Sequence, residues 1–200
     1  MWKLGKIQLG WGFFALIALS FLAGAGSVLP VVLASALCHE LGHLAALRAS
    51  GARVLRIRLT AFGAEIQADT RRLSYPREIF CTLAGPAVNL LLSLIFARIF
   101  GDFTASGANL LLGCFNLLPV PALDGGRALH LLVSWLFDPI AADRVCRRVG
   151  LTCAWVLTAA ALAVTLKYHA GLFLLLGAAG TLLPQLPLRS PGARGAWGPE

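Results

Sequence analysis

Three ionisable side chains fall within one short stretch of an otherwise uncharged segment: His39, Glu40 and His43, in Cys38-His39-Glu40-Leu41-Gly42-His43. On a helix, positions four apart project from one face, one turn apart, with Cβ atoms roughly 5–6 Å from each other. Two imidazoles so placed can converge on one zinc ion. Glu40, just beside that face, is placed to hold a water molecule rather than the metal. The spacing is that of the H-E-x-x-H pattern. The plainer use of two such histidines is hydrogen bonding to neighbouring helices. From Ile7 to Leu47, however, there is no other Asp, Glu, Lys, Arg or His. An ionisable group in so apolar a span is costly and points to function.

A catalytic zinc takes three protein ligands and leaves a position for water. Asp124 is the candidate third ligand, within Phe115-Asn116-Leu117-Leu118-Pro119-Val120-Pro121-Ala122-Leu123-Asp124-Gly125-Gly126-Arg127. Depth can be checked. His43 precedes Arg48 by five residues, so it sits roughly 7–8 Å from the charged edge at 1.5 Å per residue. A span entered from the opposite side near Gly107 reaches Asp124 after roughly 25 Å, a similar depth. Pro119 and Pro121 break that helix, which predicts irregular backbone lining a polar cavity. A turn aspartate before Gly-Gly at the membrane surface is the other use of Asp124.

The elements that must hold these groups follow from composition. The chain has 200 residues, 58% hydrophobic and 13% charged, with a mean hydropathy of +0.78. A soluble domain carries roughly 25% charged residues, so a soluble fold is excluded. Disorder and a disulfide scaffold are excluded too, by the high apolar content and an odd count of 5 Cys without a CxxC pair. What remains is an all-α polytopic membrane protein of about six transmembrane helices. The windows are 7–24, 28–49, 79–97, 103–123, 149–166 and 170–188, the fourth helix being broken and the sixth interrupted by Gly and Pro. The first window exceeds a signal-peptide core, which predicts a retained span. Residues 1–188 are expected to form one domain, and 189–200 a disordered tail.

A net charge of +8 does not indicate nucleic acid, because the basic residues sit in short clusters between long uncharged stretches. Lys3, Lys6, Arg48, Arg53, Arg56, Arg58, Arg71, Arg72, Arg77, Arg144, Arg147, Arg148, Arg189 and Arg194 all fall on one side if the N-terminus is cytoplasmic. The positive-inside rule therefore places both termini, the 50–78 loop and the 138–148 loop in the cytoplasm.

With these residues in view, the chain resembles the site-2 proteases, the intramembrane zinc metalloproteases. The resemblance rests on His39-Glu40-Leu41-Gly42-His43, on Ala84-Gly85-Pro86-Ala87-Val88-Asn89, and on Asn116-x-x-Pro119 followed by Leu123-Asp124-Gly125. It implies that His39, His43 and Asp124 bind one Zn2+ per chain, that Glu40 is the catalytic base, and that Asn116 lies near the scissile carbonyl. It also implies hydrolysis of a membrane-embedded or membrane-tethered substrate, releasing a cytoplasmic regulator such as a sigma factor. The expected partners are that membrane protein substrate and the lipid bilayer, with no nucleic acid. A membrane-embedded inhibitor and an oligomer are left open, and the expected location is the bacterial cytoplasmic membrane.

Residues 52–69 narrow the resemblance. Val54, Arg56 and Arg58 alternate with Leu55, Ile57 and Leu59, and Phe62-Gly63-Ala64 supplies a turn, which predicts a short amphipathic hairpin at the cytoplasmic surface. It is similar to the hairpin of the compact subset typified by stage IV sporulation protein FB. That subset carries a C-terminal CBS domain, for which this sequence has no counterpart, and the 50–78 loop is too short for a PDZ domain. Its arginines also suit anionic lipid headgroups, and an edge strand could hold an unwound substrate.

The remaining polar residues get plainer readings. Gly85 and Pro86 permit close helix packing. Asn89 is expected to hydrogen-bond to a neighbouring helix, His130 to be a packed or surface histidine, and Cys38 a small apolar residue. Two other functions use similar residues. A zinc or proton transporter would string His, Glu and Asp along a path at several depths, whereas these cluster at one depth. An inactive membrane scaffold would be expected to have lost a ligand or the glutamate, and this chain keeps all four.

Overall fold

The computed structural model describes residues 2–4, 7–9, 28–60 and 63–168. The chain divides into two compact units, Met1–Leu117 and Leu118–Glu200.

In the first unit, α1 runs over Leu29–Ala49 with Pro30 in its first turn, where a missing N–H costs nothing, and Arg48 in its last, where a cation suits the dipole. A hairpin follows, β3 (Arg53–Thr60) with β4 (Gly63–Asp69). Next come α2 (Tyr75–Ile95), continued by a π-helical turn over Phe96–Phe100, and α3 (Phe103–Asn116). Asp102 caps α3, accepting from the backbone N–H groups of Thr104 and Ala105, each at 3.0 Å.

The three helices bury small and polar residues and turn their large apolar ones outward. The buried stripe of α1 includes Ser35, His39, Gly42 and Ala46, while Val32, Leu37 and Leu41 are exposed. In α2 the buried set is Cys81, Thr82, Gly85, Pro86, Asn89 and Ser93, with Phe80, Leu91 and Leu94 exposed. In α3 it is Ala105, Ser106, Asn109 and Gly113. That distribution is the reverse of a water-soluble bundle and suits helices packed in lipid, where small residues allow close approach and polar ones bond across the interface. Leu29–Ala49, Tyr75–Phe100 and, in the second unit, Pro139–Lys167 are long and apolar enough to cross a membrane. The first predicted span beyond Leu9, the sixth predicted span and the 189–200 tail lie outside the described residues.

The hairpin forms as its alternation predicts, with one departure. The register passes from Val54 opposite Ala68 to Arg56 opposite Gln67, so Leu55 is bulged and 58% exposed. A bulge inserts one residue and resets which face each later side chain occupies. Ala52, Ile66, Ala68 and Leu73 then pack on a small core of Ala46, Leu47 and Cys81, fastening the hairpin to the ends of α1 and α2. The sheet is wider than the expected hairpin. Strands β1 (Trp2–Leu4) and β2 (Ile7–Leu9) extend it to the order β1-β2-β3-β4, with β2 parallel to β3. Thus the uncharged window opening at Ile7 starts as a strand and not a helix; strands of three residues are too short to show a two-residue period.

In the second unit, α4 (Asp124–Leu136) packs against α5 (Pro139–Tyr168). The break predicted around Pro119 and Pro121 is present as tight turns: Leu123 N–H donates to Val120 C=O at 2.9 Å and Arg127 N–H to Leu123 C=O at 3.1 Å. Gly126 makes this possible, since a Cβ there would collide with the Val120 carbonyl. The 138–148 segment, expected as a loop, is instead the first third of α5. Asp138 explains it: its side chain accepts from Ala141 N–H at 2.7 Å and its carbonyl from Ala142 N–H at 3.1 Å, and Pro139 follows at the first helical position.

Candidate metal centre

His39 and His43 are brought together on the inner face of α1. Their Nε2 atoms stand 3.1 Å apart, with ring centroids 4.7 Å apart and planes at 82°. The other nitrogen of each ring is tied to α2. His39 Nδ1 lies 2.6 Å from Asn89 Oδ1, and His43 Nδ1 lies 2.9 Å from the Cys81 carbonyl oxygen. Both oxygens can only accept, so each Nδ1 carries the proton and donates it. In the neutral rings each Nε2 is then an unprotonated lone pair, and the two lone pairs face the same small space.

Two such lone pairs repel unless a cation stands between them. A tetrahedral zinc with Zn–N near 2.0–2.1 Å separates its ligand nitrogens by roughly 3.3 Å, close to the 3.1 Å between these two. The rings are held from behind by oxygen acceptors, the usual support of a metal-binding histidine. The residues present therefore fit zinc. His39 is 5% exposed and His43 and Glu40 are partly buried. The space for the His43 ring exists because position 85 is glycine: a Cβ there would overlap His43 Nε2.

Asn116 ends α3 and donates from Nδ2 to the Leu112 carbonyl at 3.0 Å, leaving one further amide hydrogen. Asp124 is the first residue of α4 in the second unit and is partly buried. His130, also in that unit, pairs with Asp143 across α4 and α5 at 3.0 Å, in keeping with a packed histidine. Asn89, expected to hydrogen-bond to a neighbouring helix, does so: it is fully buried and its partner on α1 is His39 itself. Its signal was an amide in mid-helix among apolar neighbours. Outside the apolar helices, the Arg71 side chain donates to Asp69 at 3.1 Å and holds that carboxyl below its ordinary value, aided by the Arg71 backbone N–H.

Residues 99–157 match the model of peptidase family M50. The chain is 35% identical over 164 residues to Rip3 of Mycobacterium tuberculosis, covering 72% of this chain and 40% of that protein. It is 27% identical over 134 residues to a zinc metalloprotease of Methanocaldococcus jannaschii, covering 62% of this chain and 39% of that one. It is 31% identical over 140 residues to stage IV sporulation protein FB of Bacillus subtilis, covering 64% and 48%. The chain thus spans less than half the length of these relatives. Among solved structures, the site-2 protease from Methanocaldococcus jannaschii shares the fold, with a TM-score of 0.66 at 23% identity, over 92% of this chain and 91% of that one.

Proposed function

We propose that this chain, which belongs to the site-2 protease family, is an intramembrane zinc metalloendopeptidase that cuts a membrane-embedded or membrane-tethered protein. The observation that carries this reading is the pair of Nε2 atoms 3.1 Å apart on one face of a helix apolar enough to cross a membrane. His39, His43 and Asp124 would hold the ion; two imidazoles and one carboxylate are a donor set known from catalytic zinc sites. Zinc, when bound, polarises a peptide carbonyl and makes water acidic enough to ionise near neutral pH.

The chain's own residues do the rest. Glu40, next to His39 on α1, accepts the proton of the attacking water and delivers it to the leaving amine. Asn116 donates its second amide hydrogen to the oxygen on which negative charge develops, a contribution worth roughly 10²–10³-fold in other enzymes. An edge strand of the 52–69 hairpin gives an unwound substrate a strand to pair with.

The protein is an integral membrane protein, and the finer topology belongs to the same proposal. Six spans within one domain over residues 1–188, a cytoplasmic 50–78 loop and cytoplasmic termini agree with the grouping of Lys and Arg. A cytoplasmic regulator released by the cut, as in regulated proteolysis during sporulation, follows from that orientation. The test is co-expression with candidate single-span or membrane-tethered substrates. Cleavage by the wild type and its loss with Glu40→Gln is the expected result. Equal cleavage by both overturns the reading.

A further inference from the structure

The His39 ring is fixed by a chain of buried amides that crosses the whole first unit. Asn89 on α2 is 0% exposed and Asn109 on α3 is 2% exposed. Asn89 Oδ1 accepts from His39 Nδ1 at 2.6 Å. Asn89 Nδ2 spends both its hydrogens, one on the Ser35 carbonyl at 3.1 Å and one on Asn109 Oδ1 at 2.9 Å. Asn109 Nδ2 in turn donates to the Ala105 carbonyl at 2.9 Å.

The direction of this chain is forced. An asparagine amide can be turned over, exchanging its oxygen and nitrogen, and only its neighbours decide which way it sits. Turning Asn109 over would set its oxygen against the Ala105 carbonyl oxygen. Turning Asn89 over would set its oxygen against both the Ser35 carbonyl and Asn109 Oδ1, leaving buried groups unsatisfied at several points. Two backbone carbonyls, which can only accept, thus anchor the polarity, and it propagates through two amides to His39. The proton must then lie on His39 Nδ1, with the lone pair on Nε2. His43 reaches the same state by a shorter route, donating directly to the Cys81 carbonyl.

We propose that Asn89, locked in orientation by Asn109, is a positioning residue that sets the tautomer and rotation of His39, so that Nε2 is presented as a ligand before any metal arrives. The value of that presentation rests on the reading of His39 as a zinc ligand, but the tautomer itself does not. The arrangement also explains why an amide is buried in mid-helix at 89, where a leucine would pack as well and bond nothing.

The experiment is ¹⁵N NMR of the histidine rings in the full-length, metal-free protein in nanodiscs, at pH 8.5, where ordinary imidazoles are neutral. The His39 signals are identified by their loss in His39→Gln. In the wild type, His39 should show a protonated Nδ1 and an unprotonated Nε2. In Asn89→Leu it should shift towards the Nε2–H form, and in Asn109→Leu towards a mixture, while His43 keeps its Nδ1–H signature in both. Zinc affinity, measured by competition with a chromogenic chelator, should fall roughly 10–100-fold in Asn89→Leu. A wild-type His39 protonated on Nε2 overturns the proposal without any variant, so misfolding of Asn89→Leu cannot shield it. An unchanged His39 tautomer in folded Asn89→Leu overturns it as well. The expected tautomers in a protein that never cleaves substrate would leave the positioning role standing and count against the protease reading alone.

Discussion

His39 Nε2 and His43 Nε2 face each other at 3.1 Å with both ring protons committed elsewhere, to Asn89 and to the Cys81 carbonyl. Neutral imidazoles so arranged repel, and a bound cation removes the repulsion. Zinc should therefore stabilise the fold itself. Any ligand that binds only the native state adds RT ln(1 + [L]/Kd), about 2.7 kcal/mol at a hundredfold excess over Kd. Stripping the protein with a chelator should lower its Tm by several degrees, and zinc, but not magnesium, should restore it. An unchanged Tm in both treatments would count against a metal between these rings.

Glu40→Gln separates chemistry from binding. The amide keeps the volume and hydrogen-bonding capacity of the carboxylate but cannot accept the water proton. General-base catalysis contributes typically 10²–10⁴-fold, so cleavage should fall at least about 100-fold. Metal analysis should still find one zinc per chain in the variant, as in the wild type. Loss of zinc together with activity would instead make Glu40 a ligand.

Much of this centre was legible from the sequence, because a helix converts spacing into direction. The four-residue spacing of His39 and His43 puts both rings on one face wherever the helix lies, and Pro119 and Pro121 mark a break whatever surrounds them. The fastening of the rings was not legible. It depends on which α2 residues come opposite α1, so Asn89 and the Cys81 carbonyl could be paired with their histidines only in three dimensions. The bulge at Leu55 and the strands β1 and β2 escaped for another reason. Both are matters of sheet register, set by a partner strand distant in sequence or by pairing too short to leave a period.

Asp124→Asn tests the third ligand. The change keeps the shape but replaces an anionic ligand with a neutral amide, and zinc occupancy should drop sharply under conditions that saturate the wild type. The variant should keep the fold, since Asp124 is the first residue of α4 and losing its charge there costs about 0.3–1 kcal/mol of attraction to the helix N-terminus. Full zinc content and activity in Asp124→Asn would reduce Asp124 to a turn residue.

Gly85→Ala tests the space behind His43. The added methyl group would occupy the place of the His43 ring, where α1 and α2 already pack so closely that a Cβ at Gly42 would itself meet Ala84 O at 2.9 Å and Val88 at 3.0 Å. Overpacking of this kind costs typically 1–3 kcal/mol. The expected result is a lower Tm with a zinc affinity weakened by an order of magnitude or more. Wild-type affinity in the variant would show that the His43 ring does not need its present position.

Orientation can be read by thiol labelling, and the structure decides where the labels go. Ser106 looks suitable in sequence, near the outer end of the fourth span, but it is 9% exposed and its hydroxyl donates to the Ser93 carbonyl at 2.9 Å. Thr104, the second residue of α3, is exposed, and so is Ser74, immediately before the start of α2. In a background without native cysteines, Thr104→Cys should react with a membrane-impermeant reagent in intact cells, whereas Ser74→Cys should react only after lysis. The energetic ground is the group of arginines at 48, 53, 56, 58, 71, 72 and 77, each costing roughly 2.5–3.5 kcal/mol at the membrane centre on insertion scales. Labelling of Ser74→Cys from outside would reverse the topology. It would also put the cut on the wrong side of the membrane to release a cytoplasmic regulator, even with the metal centre intact.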